Sequence, residues 1–517
     1  MIRKFIDRLL GRSKPKTPRA AKIPREPKIY RADELGINPR AIPNYATRVT
    51  HTLQQAGYKA YVVGGAVRDL LVGKEPKDFD VATDATPEQV QSLFRRSRII
   101  GRRFQIVHVG FGDQIVEVST FRALAGSGEP EAAPPPADAD ESGGQQAQRH
   151  ARTDQALGAR RERRNGSREV LPVAQTRSAD ESGRLLRDNI FGEQHEDAAR
   201  RDFTINAMFY DPSTQTVLDY HGGVGDIKAK RLRIIGHPET RYREDPVRML
   251  RAVRFAAKLG FEIDDATRAP IADCADLIDG VPKARLFDEI LKLLFCGSAK
   301  TAIERLRAEG LHKGLLPLLD AVLDTPDGER FITAALASTD ARIRADKPAS
   351  PGFLFAALLW PQVRRFWKQR ESGGMPTLPA LFAAADDVLA TQTENLAIQR
   401  RFVADMKEIW ALQPRFDKRI GRGPFRLLEQ PRFRAGYDFL LLRAQSGEVD
   451  AALAQWWDDF AQADHDAREV LIANVVTAPG DAAAKKRRRR RKKPANGGGA
   501  DRKSTRLNSS HSSVSRM

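Results

Sequence analysis

The sequence predicts an α+β chain: a small mixed β-sheet head near the N-terminus, then an all-helical neck and body, with disordered ends and a disordered insertion. Three observations carry this. Short β-prone runs alternate with short helical segments between residues 45 and 123. From Pro246 to about Val476 the pattern is helical almost throughout, punctuated by Gly and Pro near 280, 309, 350 and 421–431. Between these blocks, residues 124–183 are rich in Ala, Pro, Gly, Gln and charge and almost devoid of aromatic or β-branched residues, so they lack the apolar surface to fold.

In chain order, residues 1–44 are rich in Pro, Lys and Arg and read as a disordered basic extension. Met1–Leu10 reads as a frayed terminal helix, with weak contact to an anionic membrane surface as the lesser alternative. Tyr45–Ala56 predicts a helix, Tyr58–Val63 a strand, Val67–Leu71 a helix, Phe79–Val81 a strand and Pro87–Phe94 a helix. Strands Ile106–Phe111 and Ile115–Ser119 follow, joined by the turn-forming Gly112-Asp113. The pentapeptide Ala-Asp-Glu-Ser-Gly occurs at 139–143 and again at 179–183, and no function is assigned to it. Order resumes near Leu185, with β-like stretches at Phe203–Tyr210 and Arg233–Gly236. The expected units are the extension 1–44, a head 45–220, a helical neck 221–340, a helical C-terminal region 341–476 and a basic low-complexity tail 477–517. Residues 504–517 read as non-native sequence and are set aside from fold reasoning.

Composition narrows the class. At 517 residues the chain has room for two to four domains. Its formal net charge of +19 is concentrated in the nine basic residues of 485–493, in residues 1–30 (net +8) and in residues 501–517 (net +3), which leaves the remainder near neutral. Cationic ends on a neutral body point to a polyanion, RNA or DNA. Only Cys274 and Cys296 occur, both in apolar helical surroundings, which argues for buried thiols and against a disulfide or zinc site. No apolar run of membrane-spanning length and no signal peptide are seen, so a soluble cytoplasmic protein is expected.

The densest chemistry lies in Gly64-Gly65-Ala66-Val67-Arg68-Asp69 followed by Asp78-Phe79-Asp80. Strand alternation sends Asp78 and Asp80 one way, with Phe79 and Val81 into a core. Paired carboxylates repel unless a cation sits between them, and magnesium takes carboxylate oxygen while sharing a substrate's phosphates. Glycine amides and Arg68 facing that pair would hold a triphosphate. Glu117, between the core-facing Val116 and Val118, would complete an acidic cluster if its strand lies beside that of Asp80; alone it reads equally as a solvent-facing residue. Arg200-Arg201-Asp202-Phe203-Thr204-Ile205-Asn206 places two arginines, a carboxylate and an amide at the mouth of a strand, suited to gripping phosphate or, alternatively, to a structural ion pair. In Glu244-Asp245-Pro246-Val247-Arg248, continuing to Arg251 and Arg254, Asp245 is expected to cap a helix starting at Pro246, with Asp245 and Arg248 exposed one turn apart. That pair offers a base edge an acceptor and a donor fork, or is a plain capping pair. Arg285 reads most simply as a helix-surface residue. Gly101-Arg102-Arg103-Phe104 could hold RNA phosphate and stack on a base, and His108 reads as structural.

Together these motifs resemble the class II nucleotidyltransferases, the family of bacterial poly(A) polymerases and tRNA CCA-adding enzymes. The likeness is strong over about 45–300 and loose to 475. Gly101 to Val109, Leu186 to Gly192 and Arg241-Tyr242-Arg243 are similar to the poly(A) polymerase branch; the long insertion at 124–183 departs from it. The resemblance implies template-independent transfer of AMP from ATP to RNA 3′ ends, with release of pyrophosphate. It implies catalytic Asp78, Asp80 and Asp202, and two magnesium ions (manganese as a substitute) held by Asp78, Asp80 and Glu117. It implies nucleotide binding by Gly64, Gly65, Arg68, Asp69, Arg200, Arg201, Asn206, Asp245, Arg248, Arg251 and Arg254, and RNA binding by Arg102, Arg103 and Arg285. Tailing of this kind marks RNA for decay, so RNA-decay machinery is an implied partner. The alternatives are a tRNA CCA-adding enzyme and a non-catalytic RNA-binding scaffold.

Deleting residues 485–493 is expected to weaken RNA binding and flatten its dependence on salt, because those charges release condensed counterions. A titration series in which the log–log salt slope is unchanged would remove that run from the RNA contact.

Overall fold

The computed structural model describes residues 24–101, 105–123, 177–179, 185–188, 190–312 and 326–477. Its strands up to residue 219 are β1 (Lys28–Arg31), β2 (Ala60–Val63), β3 (Asp80–Thr83), β4 (Ser97–Ile100), β5 (Ile106–Phe111), β6 (Gln114–Thr120), β7 (Arg177–Ala179), β8 (Leu185–Asp188), β9 (Met208–Asp211) and β10 (Thr216–Asp219). Eight of them form one mixed sheet, in the order β1-β10-β9-β2-β3-β6-β5-β4. Only β3 and β6 run parallel. A parallel pair needs a crossover, which helix Pro87–Leu93 with β4 and β5 provides. That helix is set by its own sequence: Thr86 and Gln89 cap each other reciprocally and Pro87 occupies the first turn.

Alternation along the strands builds cores on both faces. Val81, Val107, Val109, Val116 and Val118 pack against Val49 and Leu53 of helix Asn44–Gln55. On the other face Val63, Ala82, Phe121, Ala198, Phe209 and Tyr220 form a second cluster. There Phe209 meets Tyr61, Phe121 and Tyr220 edge-on at centroid distances of 6.0, 6.0 and 6.1 Å, the favoured arrangement for aromatic pairs. One transverse row of the sheet then positions the chemistry. Phe209, Val63, Asp80, Glu117 and His108 are successive register partners across β9, β2, β3, β6 and β5. Register partners share a face, so one row passes from an aromatic core to two carboxylates and a histidine.

Beyond the sheet, β11 (Arg231–Leu232) and β12 (Glu262–Ile263) pair in parallel. Helices Pro238–Glu244, Val247–Leu259, Lys283–Leu294 and Ala299–Ala308 follow the sheet in sequence. Val247–Leu259 ends where Gly260 turns left-handed at φ 68°, the usual glycine stop. The described residues fall into two compact units. One holds everything to residue 312 with 335–351 and 389–399; the other holds 326–334, 352–388 and 400–477. The second is helical, as predicted. In it Trp360 lies edge-on to Phe439 at 5.4 Å and donates to the Glu448 carboxylate, which also takes Arg443. A further cluster surrounds Phe416, Trp457 and Phe460. Both cysteines are free, Cys274 buried and Cys296 partly so. Among the described residues no helix is long and apolar enough to cross a membrane.

Four expectations change. The extension 1–44 is ordered in its second half: β1 edges the sheet against β10, and Ile37 and Ile42 are buried in the core. Short apolar runs amid Lys and Pro conceal such an edge strand. The end of the segment expected to be disordered, 177–179, pairs with 185–188; residues 1–23, 124–176 and 478–517 lie outside the described residues. Phe203–Tyr210 is not continuous strand. Phe203 makes one bridge to Ile234, Thr204–Asn206 form a 3-10 turn, and only Met208–Asp211 extends. The turn prevails because Thr204 donates to Asp226 and Asn206 is bonded on both sides of its amide. Arg233–Gly236 likewise contributes only the bridge at Ile234. β4 and β10 were not foreseen.

Phe209→Ala is expected to lower the free energy of unfolding by about 3–5 kcal/mol, measured by denaturant titration. A loss under about 1 kcal/mol would mean the aromatic cluster collapses around the void without cost.

Candidate active site

Asp80 opens β3 directly opposite Glu117 on β6. Phe79 and Val81 are buried while Asp78, Asp80 and Glu117 are exposed, as strand alternation requires. Crowding by surrounding protein, then the Glu117 charge and, more weakly, Asp78, push the Asp80 carboxyl up to about 6, against relief from Arg201. A carboxyl raised by a like-charged neighbour in an open site is a place where a cation is stabilising. Glu117 has a second neighbour, because His108 Nε2 lies 3.3 Å from its Oε1. Among the described residues no three acidic, histidine or cysteine side chains come close enough together to hold a metal on their own. The expected three-carboxylate cage is therefore a facing pair with Asp78 adding charge beside it. The donor set still fits a hard divalent cation, which takes one or two carboxylates and completes its shell with substrate phosphate and water.

The glycine turn stands next to this pair. Gly64 has φ 70° and ψ −125°, a backbone suited to glycine, and a Cβ there would come within 3.4 Å of Arg201 Nη1. Arg201 is held by Asp197 at 2.9 Å and lies over the Phe209 ring, so its charge is fixed between the turn and Asp80. Arg68 does not face the carboxylates. It is buried, donates 2.8 Å to Asp69 and 2.7 Å to Asn206 Oδ1, and lies over the Phe255 ring. Asn206 passes the contact on, its Nδ2 donating 3.0 Å to Asp202, whose other oxygen takes Arg251 at 2.8 Å. Lys258 lies 3.8 Å from Asp69 at the far end. Burial alone would raise the Asp202 carboxyl, but the Arg251 charge and bonds from Asn206, Arg251 and the Phe203 amide outweigh it and hold it below the carboxylate range.

A second group joins the start of helix Val247–Leu259. Asp245 does not cap that helix; it ends the preceding one, and its Oδ2 takes Arg285 Nη2 at 2.6 Å. Its Oδ1 is buried, with no hydrogen-bond partner among the described residues. Arg248 is not exposed, and its Nη1 donates to Glu244 and to the Arg241 carbonyl. Arg254 is buried against Glu289 at 2.6 Å and over the Phe255 ring at 4.3 Å, which removes it from substrate reach.

The structure thus brings Gly64, Asp80, Glu117 and Arg201 together at one end of the sheet and ties Asn206, Asp202 and Arg251 to Arg68 and Asp69; Gly65 lies against Arg68, and Arg200 is joined to Arg241 through its carbonyl. It groups Asp245, Arg248 and Arg285 apart, and turns Arg68, Asp69 and Arg254 into framework. Arg285, expected on a helix surface, instead pairs with Asp245. Arg102 and Arg103 lie outside the described residues. Sequence reasoning gave no role to Glu244 or Arg241. Their signal was available: Arg241, Glu244 and Arg248 stand three and four apart, the spacing of helical ion pairs.

Three family descriptions match the chain: the poly A polymerase head domain over residues 60–233, the probable RNA and SrmB-binding site of polymerase A over 260–323, and the polymerase A arginine-rich C-terminus over 373–494. The chain is 40% identical to the poly(A) polymerase I of Haemophilus influenzae over 86% of its own length and 90% of that protein. It is 32% identical to the CCA-adding enzyme of Bacillus pumilus over 52% of its length and 54% of that protein. The Bacillus stearothermophilus CCA-adding enzyme solved with CTP shares the fold, with a TM-score of 0.50 at 22% identity over 87% of this chain and 88% of that one.

The raised Asp80 carboxyl has a thermodynamic consequence. Between about pH 4 and the folded value of about 6, the native state keeps a proton that the unfolded chain has released, so stability falls as pH rises through that window. In protein stripped of divalent cations, Asp80→Asn is expected to raise Tm at about pH 7.5, with the gain fading below about pH 4. Thermal scans showing the same small difference at both pH values would disprove the crowding of these charges.

Proposed function

This chain belongs to the poly(A) polymerase family, and from that premise we propose that it is a template-independent polynucleotide adenylyltransferase. It transfers AMP from ATP to RNA 3′ ends and releases pyrophosphate. The observation that carries this reading is Asp80 opposite Glu117 in register, with Arg201 fixed beside them.

Asp80 and Glu117, with the Asp78 charge beside them, would hold magnesium, as two ions or with manganese in its place, which when bound would supply acidification of the RNA 3′ hydroxyl and neutralisation of the pyrophosphate charge. The rest falls to the chain itself. The Gly64-Gly65 backbone has no side chain to block a phosphate, and Arg201 brings a fixed positive charge to the same place. Asp202 stays ionised and holds Arg251, whose guanidinium is partly exposed. Asp245 and Arg248 would supply an acceptor and a donor to an adenine edge. Asp245 is held by Arg285, which moves that arginine from RNA contact to base recognition. The arginine-rich C-terminal region and the basic ends supply the RNA grip. Such tailing acts on cytoplasmic RNA and directs it to decay.

The tRNA CCA-adding reading shares the chemistry, but the likeness to that branch spans about half the chain where the poly(A) polymerase likeness spans most of it. Each nucleoside triphosphate supplied singly, with an unstructured RNA primer and with tRNA lacking its 3′ end, separates the two. The expected result is extended ATP incorporation on the primer, brought to background by Asp80→Ala with RNA affinity nearly unchanged. Strong CTP addition to the trimmed tRNA would overturn the adenylyltransferase reading.

A further inference from the structure

Arg241 is assigned to no substrate contact, yet its side chain is only 9% exposed and donates three directed hydrogen bonds. Its Nη2 donates to the carbonyls of Arg200 and Arg201, each at 2.6 Å. Those carbonyls end helix Gln194–Arg200, where the last backbone acceptors have no partner within the helix. Its Nη1 donates 2.9 Å to Glu244 Oε2, the same oxygen that takes Arg248 at 3.0 Å. Its own carbonyl takes Arg248 Nη1 at 2.8 Å. Gly236 lies against the stem, where a Cβ would stand in ordinary contact 3.6 Å from Arg241 Cδ; its own φ of 86° is what favours glycine there.

Burying a guanidinium is costly unless it does several things at once. This one ties the backbone that presents Arg201 and Asp202 to the carboxylate that orients Arg248. We propose that Arg241 is a positioning residue that couples phosphate alignment to base selection, so that nucleotide choice depends on a side chain that need not touch the nucleotide. The proposal rests on the adenylyltransferase reading, in which Asp245 and Arg248 read the base. Burial and the nearby Arg248 charge lower the Arg241 guanidinium to about 10, which leaves it charged at neutral pH. The requirement is therefore for the planar fork, which spans the two carbonyls and Glu244 together.

The test compares wild type, Arg241→Lys and Glu244→Gln for kcat and KM with ATP and with CTP on one RNA primer, alongside Tm. Arg241→Lys keeps the charge and loses the fork; Glu244→Gln disturbs Arg248 while leaving the Arg200 and Arg201 carbonyls bonded. In both, the preference for ATP over CTP is expected to fall by about tenfold or more, the scale of one disrupted buried hydrogen bond, with the ATP KM carrying most of the change. Equal losses for the two nucleotides, or an unchanged preference, would leave Arg241 a merely structural residue and overturn the proposal. If Arg241→Lys does not fold, Glu244→Gln decides alone. A wild type that adds neither nucleotide would instead sink the adenylyltransferase reading, and this proposal with it.

Discussion

The site depends on a buried line of alternating polar contacts running from Lys258 through Asp69, Arg68, Asn206 and Asp202 to Arg251. Three stretches far apart in sequence meet along it: the glycine turn and its helix, the turn at Thr204–Asn206, and helix Val247–Leu259. Phe255 packs beneath it, with the guanidinium groups of Arg68, Arg251 and Arg254 all over its ring. Each buried charge in this line is met by an opposite charge or an amide oriented to suit it. The arrangement is fragile to truncation in a way that an apolar core is not. Removing one partner of a buried pair leaves the other uncompensated and costs about 3–5 kcal/mol. Removing a surface pair such as Arg243–Glu239 costs at most about 1 kcal/mol.

A register row complements this line. The sheet puts Asp80 against Glu117 with no help from the arginines, because pairing of β3 with β6 and alternation along each strand decide it. The arginine line then brings Arg201 and Asp202 to the same end of the sheet. Two independent devices, backbone pairing for the acids and buried ion pairs for the cations, converge on one place. That division explains why Asp80 is raised while Asp202 is lowered within the same site. Asp80 faces Glu117 and Asp78, and Asp202 is paired with Arg251.

The acidic pair was legible because alternation is a property of the sequence alone: Phe79 and Val81 inward oblige Asp80 outward, whereas β1, β4 and β10 were not. The Gly64 turn and the helical body were legible for similar local reasons, and the order of the motifs carried the family. What the sequence withheld was direction. An arginine in a motif reads the same whether it faces phosphate or a buried carboxylate, and Arg68, Arg251 and Arg254 differ only through partners such as Asp69, Asp202 and Glu289. Two of those partners lie 35 and 49 residues away from the arginine they hold. The edge strand β1 was hidden because its sheet partner β10 comes nearly two hundred residues later, and four residues that start with a lysine just after Pro27 carry too little pattern to announce it.

An enzyme that selects a nucleotide without a template must carry the selectivity in its own side chains, and a hydrogen-bonding pair can discriminate only if it cannot rotate to suit a different base. Asp245 and Arg248 are both restrained. One is held by Arg285 from helix Lys283–Leu294, the other by Glu244 and by a backbone carbonyl. Neither restraint comes from the sheet that holds the carboxylates. If Asp245 and Arg248 read the base as proposed, base recognition and phosphate chemistry would, without a further link, sit on separate elements. The link between Glu244 and the end of helix Gln194–Arg200 closes that gap. On the proposed reading, the side chains that would decide between substrates are held by hydrogen bonds within the chain itself.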